Sequence, residues 1–531
     1  MISRRTFLKL SGLLIVLLFS RSLFSWLSKP KVLHILCSAS SDKLAATISL
    51  SKGINELFLK VDEKIFNGTK IDREGKHWQF ICENLRSNRT YSLSLVSKEE
   101  ILESDWPLKT LPNKNEEVNN LKIMAFTCAG GGDGTSFGGK EFFKPFVFRQ
   151  KMFDEGISNK PDIAIAIGDH VYWDLRGGDL PPLGRQQSAF IKFLIGGLLK
   201  FLYGSFNRNE DGRSDHNEMV LKNIGNDQIA SLYGKRFKSI PIFFLPDDHD
   251  YFENDDAEEN LVTFPADEFS KSAFKGMADL FYPPLLDCPS DAIERKIGRI
   301  RYGSLFEGLL ADCAGDMSLG GKQASLVHSK NEDWILSRFK KSSAKHLAFI
   351  PSHPLGYTAG KWREWYPDVV ASDEEDGTIM NELLSGKKGK LTTKAEKYLW
   401  QKGWFLQHQR FLKGLSDRKG NSFTFSGDIH AIGSNQIIKS GDYFLKKPIL
   451  STLVGPISSS TGTWPSAARG IIASKPEFLD VNEKLKIREE NGFSLINITN
   501  QKVDINLHIC GGHGGSEEDD GSIKKVINLQ V

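Results

Sequence analysis

Six cysteines in 531 residues, none of them arranged as C-x-x-C, are too few and too scattered for a disulfide-stapled scaffold or a zinc-finger array. Charge of one sign is lacking too. The 69 basic and 66 acidic residues leave a formal net charge of +3, which excludes a broad basic nucleic-acid-binding surface and leaves any anionic substrate to be attracted locally. With 40% hydrophobic and 25% charged residues, the composition is neither that of a disordered chain nor that of a polytopic membrane protein. No internal repeat is visible. At roughly 150 residues per domain, the length corresponds to about two to four domains, or fewer if one is a large α/β enzyme.

The amino terminus is the first informative segment. Ser3-Arg4-Arg5-Thr6-Phe7-Leu8-Lys9 precedes an apolar stretch from Leu10 to Phe19, the form of a twin-arginine export signal, S-R-R-x-F-L-K. The partner implied is the twin-arginine translocase, and the location is periplasmic, secreted or anchored on the outer side. No A-x-A cleavage site follows. The apolar character continues through Arg21-Ser22-Leu23-Phe24-Ser25-Trp26-Leu27, so residues 1–31 are expected to be a signal or a retained anchor. In an oxidising compartment Cys37 and Cys82, both in the first β-rich segment, either pair or remain two buried thiols.

From Val32 to Pro112 short β-like runs alternate with turns, among them Leu44–Leu50, Trp78–Ile81 and Thr90–Val96. Strands at that spacing predict a small β-sandwich. Asn84-Leu85-Arg86-Ser87-Asn88-Arg89-Thr90-Tyr91 resembles the loop entering a late strand of fibronectin type III-like domains, and Lys109-Thr110-Leu111-Pro112 resembles such a domain's exit. The polar run 113–120 reads as a linker. Beyond it, short apolar runs alternate with helix-like stretches, as expected for βα units around a buried sheet over residues 121–510. Ile123–Thr127, Ile163–Ile167, Ile242–Leu245, Leu347–Ile350 and Phe423–Phe425 are too short for helices and mostly apolar, as strands covered on both faces must be. Ser494–Thr499 and Val503–His508 read as a terminal β-hairpin, and 511–531 as a polar tail.

Functional groups in open α/β sheets gather outside the carboxyl ends of the strands. Following the five runs are Cys128; Gly168-Asp169-His170-Val171-Tyr172; Asp247-Asp248-His249-Asp250; Ser352-His353-Pro354; and Gly427-Asp428-Ile429-His430. Each is weak alone. In this order, each after a strand, they resemble the motifs of the calcineurin-like metallophosphoesterase superfamily: D-x-H, G-D-x-x-D/Y, G-N-H-D/E, a lone His and G-H-x-H. Cys in the first motif, Tyr in the second, D-D-H in the third and G-D-x-H in the last resemble the alkaline phosphatase D, or PhoD-like, family. The resemblance spans nearly the whole chain. It implies a four-layer α/β metallophosphoesterase sandwich preceded by a fibronectin- or Ig-like β-sandwich, and hydrolysis of phosphate esters.

Two cations about 3.5 to 4 Å apart lower the pKa of a bridging water toward about 7 and stabilise charge developing on a phosphate. Asp169 is the candidate bridging carboxylate. Cys128, Tyr172 and His430 would complete one site suited to iron, the phenolate favouring the ferric state. Asp248, His353 and Asp428, with Asp169 shared, would form a second, oxygen-rich site, for which the resemblance implies calcium or another divalent ion. Cys128 as a plain buried thiol and His353 as a loop-satisfying residue beside Pro354 remain open alternatives. His249 is expected to face the leaving oxygen as general acid, with Asp250 orienting it. Asp247 is expected to support the ligands rather than join them.

His170 and Arg469 are candidate substrate contacts, the latter beside an aromatic wall from Trp464. Asn254 and Asp255 either join the site or form a solvated turn. His513, in Gly511-Gly-His-Gly-Gly515, reads as part of a flexible tail. The apolar stretch from Ala189 to Tyr203 is either a buried helix or an interfacial helix or lid beside the site; contact with a membrane would favour a phospholipid or wall-polymer diesterase. Two departures limit what the resemblance carries over, and the second bears on substrate class. Pro246 stands where relatives often have Trp, and Ala311-Asp312-Cys313-Ala314 lacks the Arg of a Leu-Asp-x-Arg segment. A binding protein that keeps the fold without turnover is the rival from another class.

Overall fold

The computed structural model describes residues 29–530, except 99, 138, 173–200, 252–256, 259–260, 263–265, 290–296, 319–322, 359–401, 469–471, 477 and 513–520. The export segment, Arg469, Asn254, Asp255, His513 and residues 189–200 thus lie outside the described residues. Among the described residues no helix is long and apolar enough to cross a membrane.

The first eight strands are β1 (Val32–Ala39), β2 (Leu44–Leu50), β3 (Phe58–Val61), β4 (Lys64–Asn67), β5 (Thr69–Lys70), β6 (His77–Cys82), β7 (Thr90–Ser97) and β8 (Glu100–Lys109). They form two antiparallel four-stranded sheets, ordered β1-β2-β6-β5 and β4-β3-β7-β8. Alternate side chains from both, including Ile35, Ile48, Phe80, Leu93 and Trp106, enter one apolar cluster. Cys37 and Cys82 are free buried thiols. The disulfide does not form because β2 lies between their strands, Cys37 facing Ala46 and Cys82 facing Leu44. Two strand spacings are about 9.6 Å, beyond the roughly 7 Å that a disulfide bridges.

The remaining strands are β9 (Asn120–Thr127), β10 and β11 (Ser136–Phe137, Lys140–Glu141), β12 (Ile163–Ile167), β13 (Ile242–Leu245), β14 and β15 (Ala257–Glu258, Leu261–Val262), β16 (Ile297–Tyr302), β17 (Phe306–Ala311), β18 (His346–Pro351), β19 (Asn421–Ser426), β20 (Ile432–Ser440), β21 (Tyr443–Val454), β22 (Leu479–Arg488), β23 (Glu490–Thr499), β24 (Val503–Gly512) and β25 (Lys525–Gln530). They build a mixed α/β fold with a six-stranded sheet, β13-β12-β9-β23-β24-β25, and a seven-stranded sheet, β16-β17-β18-β19-β21-β20-β22. β13, β12 and β9 run parallel, as do β17, β18, β19 and β21. The five apolar runs singled out in the sequence are strands of these parallel sets. The terminal hairpin forms as β23 and β24. The polar tail expected after residue 510 does not describe the chain's end, because β24 runs on to Gly512 and β25 pairs with it antiparallel from Asp504 to Ile509. Ile527 and Leu529 supply an alternation too short, and too polar on its flanks, to stand out in the sequence.

Period-2 alternation sets what each strand face meets. Ile123, Ala125, Ile163 and Ile165 share a cluster with Ile350, Phe423 and Phe425 of the other sheet. Met124, Phe126, Ala164 and Ala166 instead pack with helices α1 (Phe146–Ser158), α2 (Asp215–Gly225) and α3 (Glu268–Phe281). The Asp267 carboxylate caps α3 by accepting from Ser270 N at 2.7 Å. Leu347 and Phe349 pack with α4 (Ser329–Lys341) and α5 (Lys402–Asp417). Both faces of the parallel strands are covered, which is why they read as unbroken apolar runs.

Candidate metal centre

The carboxyl ends of β9, β12, β13, β18 and β19 deliver the five motifs to one place. Sharp turns at the strand ends aim the side chains. Cys128, Asp169, Asp428 and His430 all have left-handed backbones, at φ 49°, 56°, 70° and 44°. Such conformations are uncommon outside glycine, cost of order 1 to 3 kcal/mol each, and concentrate at functional sites. Gly168 is also left-handed, at φ 66°, and a Cβ there would lie 2.5 Å from the Asp247 Cβ, so only glycine lets these two turns meet.

The thiol of Cys128 points at Asp169 Oδ2 across 3.3 Å. The Tyr172 hydroxyl donates to the same oxygen at 2.8 Å and lies 3.1 Å from His430 Nε2. On the other edge of that imidazole, Nδ1 meets Ser459 Oγ at 2.6 Å, which fixes the ring and leaves Nε2 facing the cluster. These are the four residues expected for the first site, and the structure brings them together. Burial pushes the Cys128 thiol and the Tyr172 phenol well above their ordinary pKa values, and the adjacent Asp169 carboxylate pushes in the same direction.

The second set is arranged differently from expectation. Asp247, His353 and Asp428 bring donor atoms within 4.8 Å of one another, and Asp169, Asp248 and His249 do the same. Asp247, expected only to support, therefore stands with His353 and Asp428, while Asp248 stands with the bridging candidate and His249. Among the described residues, neither oxygen of the wholly buried Asp247 carboxylate receives a well-aligned hydrogen bond. His353 Nε2 lies 2.9 Å from one of them without hydrogen-bond alignment. Burial raises the Asp247 carboxyl, and Asp428 and Asp248 raise it further against the pull of His353.

Asp169, Asp247, Asp248 and Asp428 are exposed by 1%, 0%, 3% and 1%. Four carboxylates concentrated in so little solvent demand cationic compensation. With a thiol, a phenol and two imidazoles among them, the donor set fits two metal ions, one softer and one harder. The residues present thus fit the pair of cations that the sequence motifs imply.

Two expected roles are corrected. His170 does not face a substrate: its ring is buried between Phe244 and Tyr282, at centroid distances of 4.7 and 5.4 Å, and Nε2 sits 3.0 Å from Leu245 O. Burial pulls its pKa down to about 3, so it serves as a neutral core residue. Asp250 does not orient the His249 ring. Its Oδ2 accepts from the backbone N–H groups of Asp169 at 3.0 Å and Asp247 at 2.9 Å, and its Oδ1 accepts from His170 N at 2.9 Å. It thereby locks two ligand turns together. The partly buried His249 imidazole lies against Tyr172 at 4.4 Å between centroids. Trp464 is 1% exposed and forms no open wall. Of the segment 189–203, Phe201 and Leu202 are 86% and 50% exposed, while Tyr203 is buried and donates to Asp227 at 2.6 Å.

Sequence reasoning passed over three more residues. Ser459 holds His430. Arg149 and Gln228, both wholly buried, grip the loop after Cys128. None sits in a motif.

No protein-family model matches the chain, and no curated protein sequence does. Solved structures do. The structure described as "Structure of PhoD" superposes with a TM-score of 0.58 at 13% identity, covering 91% of this chain and 87% of that one. The chain folds like PhoD. Purple acid phosphatase PPD1 from yellow lupin (Lupinus luteus) seeds superposes with a TM-score of 0.51 at 11% identity, over 94% of this chain and 74% of that one. The match covers most of both chains, so the likeness concerns the fold at large.

Proposed function

We propose that this protein is a binuclear metal-dependent phosphoric ester hydrolase of the alkaline phosphatase D type. The observation that carries this reading is the convergence of Cys128, Asp169, Tyr172 and His430 on one carboxylate oxygen, beside a second buried cluster of Asp247, His353 and Asp428. The likeness to PhoD and to a purple acid phosphatase supports it. In this reading the architecture is a four-layer sandwich behind a fibronectin-like β-sandwich.

Cys128, Tyr172 and His430 would hold ferric iron, and Asp247, His353 and Asp428 calcium or another divalent ion, with Asp169 shared and Asp248 beside it. Bound, the two cations would supply a water of lowered pKa and neutralise charge on the phosphate. The chain's own part is positional and acid–base. His249, beside Asp169, Asp248 and Tyr172, holds a proton near the leaving oxygen and delivers it as the ester bond breaks. Asp250 keeps Asp169 and Asp247 in register. Ser459 keeps His430 Nε2 turned inward. The amino-terminal segment would route the folded chain through the twin-arginine translocase to the outer side of the membrane.

The test is elemental analysis of full-length protein purified from its native export route, with phosphomonoester and phosphodiester hydrolysis assayed on the same samples. About one iron and one divalent ion per chain, lost together with hydrolysis in Asp169→Asn, is the expected result. Metal-free active protein, or iron indifferent to Asp169, overturns the reading.

A further inference from the structure

Gln228 lies 56 residues beyond Tyr172 in sequence and touches none of the clustered donor atoms, yet three of its four hydrogen bonds hold the chain that carries them. Its Oε1 accepts from Gly131 N at 2.8 Å and from Tyr172 N at 2.7 Å. Its Nε2 donates to Tyr172 O at 2.8 Å and reaches Tyr203 OH at 3.4 Å. One side chain therefore satisfies both backbone groups of Tyr172 and joins them to the loop that leaves Cys128. We propose that Gln228 is a positioning residue that fixes the separation of the Cys128 and Tyr172 ligands, a role that rests on the metal centre proposed above.

Three features support the assignment. The side chain is wholly buried, so these bonds do not compete with water. Gln228 sits in a π-helical turn, Asn226–Ser231, continuing from α2, and such turns are rare and frequent at functional sites. The same loop is held from its other side by Arg149, whose Nη1 donates to the carbonyls of Ala129, Gly130 and Gly131 and whose Nη2 donates to that of Gly132, at 2.8 to 2.9 Å. Burial pulls the Arg149 pKa down to about 9 against the opposing pull of Asp133 and Asp227. The four carbonyls point toward Arg149 and the Gly131 N–H toward Gln228, so the loop has no freedom to drift from Tyr172. Positive φ at Gly131, 93°, makes this double grip feasible.

The experiment compares wild-type full chain with Gln228→Met, which keeps the length without the amide, and Gln228→Glu, which keeps an acceptor oxygen but no donor. Hydrogen exchange of peptides spanning 129–132 and 170–172 is read on metal-free protein. Iron content and the phenolate-to-iron absorption band are read after reconstitution. Gln228→Met is expected to speed exchange about tenfold in both peptides together and to shift the band; Gln228→Glu is expected to keep wild-type exchange while still shifting the band, because Tyr172 O loses its donor. Wild-type exchange in both peptides of Gln228→Met, with an unmoved band, overturns the proposal. If Gln228→Met does not fold, the band of Gln228→Glu decides: a shift supports the role and an unmoved band overturns it. Absence of iron from the wild type would overturn the metal reading instead, and the exchange comparison would still decide the clamp.

Discussion

Replacing Asp250 with asparagine separates a backbone lock from a ring-orienting role. The carboxylate accepts three backbone N–H groups on two oxygens, and asparagine offers one oxygen and one NH2. If the amide oxygen takes the place of Oδ2, it keeps Asp169 N and Asp247 N but turns a donor toward His170 N. Two buried donors then lack acceptors, at about 1 to 3 kcal/mol each, so Asp250→Asn should lose roughly 2 to 6 kcal/mol of stability. The alternative flip abandons two bonds and is worse. Because the displaced backbone belongs to Asp169 and Asp247, metal affinity should fall about 10- to 100-fold, as for other groups that orient ligands. Urea denaturation gives the stability, and metal titration of dialysed protein gives the affinity. Wild-type stability and metal affinity with only kcat reduced would refute the lock and restore Asp250 as a partner of His249.

Other consequences can be read in parallel. His249→Gln should retain both metals while kcat falls about 10²- to 10⁴-fold, with the largest deficit on esters whose leaving group is a poor one; equal losses on all esters would count against a proton donor. Asp247→Asn should deplete the divalent ion and leave iron in place, measured by elemental analysis; loss of iron alone would contradict the grouping with His353 and Asp428. Stability should fall in acid through His34 and His408, whose pKa values burial holds down to about 3 and about 4. The unfolded chain takes up these protons below about 6.5 while the folded chain does not, so each contributes a loss of about 1.4 kcal/mol per pH unit from about pH 6 down toward its folded value. Denaturation of His34→Gln at pH 7 and pH 5 should show a shallower decline than wild type, and an equal decline would refute the assignment.

Five strands of the two parallel sets were legible because coverage on both faces leaves an unbroken apolar run, and the chemistry was legible because it begins within three residues of the end of each run. Direction within a turn was not. Asp247 and Asp248 are neighbours in one strand-to-helix corner, and sequence spacing cannot say which carboxylate faces His353. The structure answers with the left-handed Gly168 that brings the β12 turn against Asp247. His170 was misread for the same reason: one residue beyond Asp169 the side chain points back between Phe244 and Tyr282. Gln228 and Arg149 carried no signal at all, since their partners are backbone atoms and any sequence could supply those. The β25 strand was missed because its apolar residues are few and only pairing with β24 gives them a face.

The amino-terminal sheets bear on how the protein can be dissected. His34 Nε2 reaches Phe281 O at 3.3 Å, Thr47 Oγ1 donates to Tyr282 O at 3.0 Å and Ser38 Oγ to Pro284 O at 2.6 Å. Lys222 of α2 meets Asp72 at 2.8 Å. Tyr282 in turn packs on His170, beside the candidate bridging carboxylate. A fragment beginning at β9 would uncover the end of α3 and the wall behind His170, so the boundary at residue 112 is a change of strand pattern and not a place to cut. Exchange of this amino-terminal unit for another of similar shape would have to reproduce those polar bonds to Phe281, Tyr282 and Pro284.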